Sequence, residues 1–142
     1  MPMSSWSDPR GDIIDVASSA MTSPPENILE IGVYRCSSLM SLATAFPDSR
    51  IVCVDAIKGL ANSEYVLKEW DGFLKQRASK NVTMIIGHSS DVVPMIDMMW
   101  DLVHIDGGHA YEQAKSDYEA CLPKLNPGAV VMFDDIHDPN VA

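Results

Sequence analysis

Apolar and polar positions along the chain follow two periods. Short, almost unbroken apolar runs at 27–32 (NILEIG), 50–56 (RIVCVDA), 81–87 (NVTMIIG), 100–106 (WDLVHID) and 129–135 (AVVMFDD) are bounded by turn residues and read as strands. Between them the pattern changes to helical spacing. The stretch 11–23 reads as a short helix closed by Pro24 and Pro25, and 37–46 as a helix with Ser37 or Ser38 as N-cap, ended by Pro47. A longer helix spans 61–78, where Val66, Trp70, Phe73 and Leu74 form an apolar stripe. Residues 91–99 predict a short helix interrupted or opened by Pro94. In 111–122 the spacing predicts a helix with Ala114, Tyr118, Cys121 and Leu122 inward, after which "NPG" turns the chain into the fifth strand.

Strands that are apolar throughout, separated by crossover helices, predict an α/β fold with a Rossmann-like, doubly wound parallel sheet of order 3-2-1-4-5, buried on both faces. Right-handed crossovers bring every strand's carboxyl end to one edge, where ligands bind. At 142 residues the chain holds one domain with a real core, and the polar first ten residues are expected to be flexible. Ten basic against 20 acidic residues give a formal charge of −10, so a polyanion meets net repulsion and nucleic acid is disfavoured as a ligand. No apolar run is long enough to cross a bilayer, and the first residues lack the pattern of a secretory signal. Cys36, Cys53 and Cys121, odd in number and set in apolar surroundings, read as reduced thiols of a cytoplasmic protein and not as a zinc site.

The carboxyl edge collects the candidate chemistry. Glu30, Ile31 and Gly32 close the first strand, Asp55 the second, and Gly87, His88 and Ser89 the third. Asp106, Gly107, Gly108 and His109 follow the fourth, and Asp134 and Asp135 end the fifth. A dinucleotide fingerprint needs three glycines to bring the backbone against a pyrophosphate; here Gly32 stands alone, with Cys36 where a further glycine could be. A ligand with an amino-acid moiety asks less of this loop. Glu30 could serve its amino group, and the helix start at Ser37–Ser38 its carboxylate; an ordinary turn with a capping serine is the alternative. Asp55 is placed to accept ribose hydroxyls, or else is a solvated turn acid. His88 and Ser89 could meet an adenine edge, and Ser89 or Ser90 could equally be an N-cap. Asp106, Asp134 and Asp135 converge on neighbouring strands, so their repulsion calls for protonation, solvation or a hard divalent cation such as Mg²⁺. His109 has the pKa range of a general base, or else orders the loop before the next helix.

In order and spacing, "ILEIGVYRCSSLMSLA", "IVCVDA", "MIIGHSSDVVP" and "DLVHIDGGHAYEQAKSDYEACLPKLNPGAVVMFDDI" resemble the class I S-adenosylmethionine-dependent methyltransferases. The nearest likeness is to small bacterial O-methyltransferases acting on antibiotic sugars and to cephalosporin-hydroxylase-type relatives. The resemblance implies a cofactor site made by Glu30, Gly32, Tyr34, Ser37, Ser38, Asp55, Ala56, Gly87, His88, Ser89 and Asp106. It implies a metal held by Asp106, Asp134 and Asp135, and catalysis by His109 and Asp106. The implied reaction is methyl transfer from a sulfonium to a hydroxyl oxygen of a small molecule. Members normally continue past the fifth strand into an antiparallel strand pair that is not seen here, so the acceptor pocket is expected to be missing or supplied by a partner chain. Self-association into a homo-oligomer is expected with it. A non-catalytic, cofactor-binding or assembly module is the alternative reading.

Overall fold

The computed structural model describes residues 11–32, 37–56, 68, 71–72, 81–106 and 111–133. Five strands, β1 (Asn27–Ile31), β2 (Arg50–Asp55), β3 (Val82–Ile86), β4 (Trp100–Ile105) and β5 (Leu125–Phe133), form one sheet of order β3-β2-β1-β4-β5. Every neighbouring pair is parallel. The helices are α1 (Gly11–Ala20), α2 (Ser37–Ala45), α3 (Ser89–Val92) and α4 (Tyr111–Cys121). Lys68, Asp71 and Gly72 are helical, within the expected 61–78 helix; its predicted apolar stripe lies outside the described residues.

Strand alternation divides the core into two layers. Ile28, Ile51, Cys53 and Leu102 face α1 and α2, where they meet Ala17, Leu39, Met40, Leu42 and Ala43. Leu29, Ile31, Val52, Val54, Val103 and Ile105 face the other way, onto Val93, Cys121 and the flank of Tyr118. Both faces of β1 and β2 are thus closed to water, which is why these strands read as continuous apolar runs. Burial of each large aliphatic side chain is worth about 1.5–3 kcal/mol.

Three local expectations change. The "NPG" motif lies inside β5 and not before it: Trp100 pairs with Leu125, but Leu102 pairs with Val130. Two steps on β4 therefore match five on β5, and the surplus residues bulge around Gly128, whose φ of 81° is natural only for glycine. The expected 91–99 helix is a single α-helical turn continued by a tighter turn at Val93–Met95, because Pro94 offers no N–H to continue the ladder. The last helix ends at Cys121, one residue short of the expectation; Leu122 beyond it is exposed, and within α4 Asp117 takes an inward place.

Asp101 fastens the amino-terminal edge of the sheet. Its Oδ2 accepts the backbone N–H groups of Glu26 and Asn27, each at 3.0 Å, and its Oδ1 accepts Asn126 Nδ2 at 2.8 Å. One carboxylate thereby ties the entry of β1 to the β5 bulge. Among the described residues no helix is long and apolar enough to cross a membrane.

Candidate functional site

The first βα turn leaves β1 at Ile31. Gly32 has φ 86°, a region closed to most side chains, and its N–H donates to Val54 O at 2.8 Å. The N–H of Asp106 donates to Ile31 O at 2.8 Å, and that of Gly87 to Asp55 O at 3.0 Å. These three bonds extend the ladder one residue beyond the strands. The exits of β1, β2, β3 and β4 are thereby held side by side, with Gly32, Asp55, Gly87 and Asp106 at adjacent positions along the carboxyl edge.

Glu30 is wholly buried on the α2 side of the sheet. Its register partner is His104 of β4, whose Nδ1 donates to Glu30 Oε2 at 2.8 Å. Oε1 of Glu30 has no hydrogen-bond partner among the described residues. A buried carboxyl group with an acceptor unpartnered among the described residues, two residues before a left-handed glycine, is unusual, since such atoms are nearly always satisfied. Ser38, in the first turn of α2, is buried as well.

Asp55 and Asp106 are half-buried at the ends of β2 and β4, and Ala56 follows Asp55 in the same state. On the β3 side the loop Gly87–Ser89 folds tightly: a Cβ on Gly87 would stand 2.5 Å from Val92 Cγ2. His88 is exposed and is the N-cap residue of α3 without making a side-chain cap bond. Ser89 is therefore not a cap. Its buried hydroxyl donates to Asp117 Oδ1 on α4, which also accepts Gln113 Nε2 at 2.9 Å. Burial raises the Asp117 carboxyl above its ordinary value, with the bonds from Ser89 and Gln113 opposing the shift. Burial, reinforced by the Asp117 charge, pushes the Cys121 thiol up to about 12.

Of the residues expected at the site, Glu30, Gly32, Ser38, Asp55, Ala56, Gly87, His88, Ser89 and Asp106 are brought to this one edge. Ser37 opens α2, with its side chain outside the description. Tyr34, Cys36, His109, Asp134 and Asp135 lie outside the described residues. The expected three-acid metal site includes Asp134 and Asp135 and so falls outside the described residues as well. Among the described residues no group of three His, Cys, Asp or Glu side chains is placed to hold a metal. His104 and Asp117 were not singled out from the sequence. Their signal was a lone polar residue at a position whose periodicity demanded an apolar one.

A cleft of about 710 Å³ lies at the opposite edge between Pro24–Asn27 and Ala45–Arg50. It is lined by the end of α2 and by the segments that lead into β1 and β2. The carboxyl edge is the better candidate on chemistry, because it gathers the acids and the left-handed glycine.

A methyltransferase-domain family model matches residues 29–136, most of the chain and all of this edge. The chain belongs to the methyltransferase-domain family. Its sheet order is that of the class I, Rossmann-like members. Among solved structures, the O-methyltransferase TomG of Streptomyces achromogenes, solved with S-adenosylmethionine, aligns with TM-score 0.71 and 24% identity over 89% of this chain. A Staphylococcus aureus protein assigned as a caffeoyl-CoA O-methyltransferase aligns with TM-score 0.69 and 22% identity over 87%. At these identities the likeness is one of fold. The chain spans 55% of each of those two proteins. The uncharacterised protein y4gI of Sinorhizobium fredii is 49% identical over 39 residues, 28% of this chain and 4% of that protein. In this methyltransferase domain, the matched segment begins within β1 and ends just past β5, so the family likeness covers the elements that build the edge.

Proposed function

We propose that this methyltransferase domain binds S-adenosylmethionine along the carboxyl edge and transfers its methyl group to a hydroxyl oxygen of a small molecule. The observation that carries the reading is the arrangement around Gly32. A left-handed glycine sits between a buried glutamate, one of whose oxygens has no partner among the described residues, and the acid that ends the adjacent strand. These residues fit a ligand with an amino-acid tail and a ribose, and they lack the glycines that a pyrophosphate requires.

Each residue then has a physical task. Asp55 accepts the ribose hydroxyls, with Ala56 beside it, and Gly87, His88 and Ser89 wall the adenine. Glu30 serves the amino group, while Tyr34 and the first turn of α2 at Ser37 and Ser38 take the carboxylate end, where unpaired N–H groups favour an anion. Asp106 stands at the reacting end, and His109 takes the proton from the acceptor hydroxyl. The chemistry supplied by the bound cofactor is an electrophilic methyl group on a sulfonium sulfur. The reading includes a divalent ion, Mg²⁺ by the oxygen-only ligand set, held by Asp106, Asp134 and Asp135. A chelator then abolishes transfer and leaves cofactor binding nearly intact; transfer that persists in chelator removes the metal.

Titration calorimetry with S-adenosylmethionine and S-adenosylhomocysteine tests the cofactor reading, and absence of binding at millimolar ligand overturns it. The alternative reading is a cofactor-binding module without transferase activity. Tight binding with no transfer across a panel of hydroxylated acceptors would support that reading. Self-association and a cytoplasmic setting complete the proposal. β5 is the outer strand of the described sheet, and a sedimentation experiment that finds only monomer refutes the first.

A further inference from the structure

We propose that His104 is a positioning residue for the cofactor's amino-acid tail, acting through the Glu30 carboxyl group. The proposal rests on the cofactor reading above and adds a residue to it. Glu30 and His104 are register partners on β1 and β4, both side chains are essentially inaccessible (0% and 1% exposed), and one bond of 2.8 Å joins them. The layer around the pair is largely apolar: Ile28 and Leu102 lie one pleat below, and Leu39, Leu42 and Ala43 of α2 belong to the same layer. A polar pair at this place costs more in desolvation than an apolar pair of similar volume, so packing alone gives no reason for it.

The geometry of the pair supplies a reason. With Oε2 engaged by Nδ1, the carboxyl group cannot rotate freely, and Oε1 is held in one direction as an acceptor without a partner among the described residues. The backbone that follows is equally fixed, because Ile31 O accepts Asp106 N–H and Gly32 N–H donates to Val54 O. Oε1 is therefore a preorganised acceptor on the face of the sheet that α2 covers, two residues before Gly32. A protonated amino group has three donors and meets that acceptor without any reorganisation of the site. His104 touches no ligand in this account; it fixes the atom that does.

The test compares two ligands on the folded protein by calorimetry. S-adenosylhomocysteine carries the amino-acid tail, and 5′-methylthioadenosine has the same nucleoside without it. His104→Phe removes the donor while filling the space, and should weaken S-adenosylhomocysteine by about tenfold to a hundredfold, the range for a hydrogen bond to a charged group. 5′-Methylthioadenosine should bind as it does to the parent protein. His104→Asn, whose Nδ2 stands near the place of Nδ1, should restore most of the tail-dependent affinity, and it supplies the comparison if the phenylalanine variant does not fold. A purely structural role would lower the melting temperature and leave the ratio of the two affinities unchanged, and that result overturns the proposal. So does an asparagine variant that loses the tail-dependent affinity in full. Failure of the parent protein to bind either ligand would instead overturn the cofactor reading itself.

Discussion

Gly87→Ala puts a single methyl group where the structure has no room for one. An ideal Cβ at this position stands 2.5 Å from Val92 Cγ2, whereas carbon atoms in contact settle at roughly 3.5–4.0 Å, so one of the two must retreat by about 1 Å. Neither can do so cheaply. Gly87 is pinned by its N–H to Asp55 O at 3.0 Å, and Val92 is a β-branched residue on a helical turn, with one strongly preferred rotamer, packed against the layer that contains Val93 and Ile105. Overpacking of this kind costs about 1–3 kcal/mol. For a chain of this size the cost corresponds to a fall in melting temperature of roughly 3–10 °C. Thermal unfolding followed by circular dichroism measures it directly. The clash has a named partner, so Val92→Ala should relieve it: the alanine substitution at Gly87 should be much less damaging in the Val92→Ala background. An unchanged melting temperature for Gly87→Ala, or an equal penalty in both backgrounds, would mean that the contact with Val92 does not limit this position. The same displacement moves the loop assigned to adenine, so cofactor affinity should fall with stability in the single variant and recover in the double variant.

Three further outcomes are expected. Asp117 has its folded-state pKa raised by burial, so the native state holds the proton more tightly than the unfolded chain, and this group's contribution to stability declines as pH rises from about 4 through the raised value. Asp117→Asn keeps an acceptor for Ser89 and Gln113 and removes that decline; its stability relative to the parent should improve as pH rises from about 4 toward neutrality, and a pH-independent difference would contradict the cause given. The Cys121 thiol, pushed up to about 12 and fully buried, should resist iodoacetamide at pH near 8 in the native protein and react only in denaturant, as peptide mass spectrometry can read. Asp101→Ala leaves the N–H groups of Glu26 and Asn27 without their acceptor and should cost about 1–3 kcal/mol in urea denaturation; a loss below experimental error would show that water replaces the carboxylate at no cost.

Much of this architecture was legible in the sequence because the sheet is buried on both faces. Unbroken apolar runs in β1 and β2 leave few alternatives, and the parallel order follows from crossover handedness. Site residues were legible where a rule of topology selects them: Glu30, Gly32, Asp55, Gly87 and Asp106 were named because strands end there. His104 and Asp117 were not, for one shared reason. Each lies within an element at an inward position, where periodicity leads one to expect an apolar residue, and only the partner across the fold, Glu30 or Ser89, explains the polar side chain. The position of "NPG" inside β5 escaped because proline and glycine signal a turn, and a wide bulge within a strand uses the same residues for the same bend. Pro94 marked a break in the helix, yet its position alone did not tell a kink from a helix of one turn.

The edge around Gly32 is proposed above as a site for a nucleoside with an amino-acid tail. Calorimetric titration of S-adenosylhomocysteine into the parent protein and the Asp55→Ala variant tests it most directly. Saturable binding to the parent is expected, with an affinity lower by about tenfold or more in the variant and the melting temperature of the ligand-free protein little changed. No binding to the parent at millimolar ligand, or equal affinity for both proteins, would contradict it.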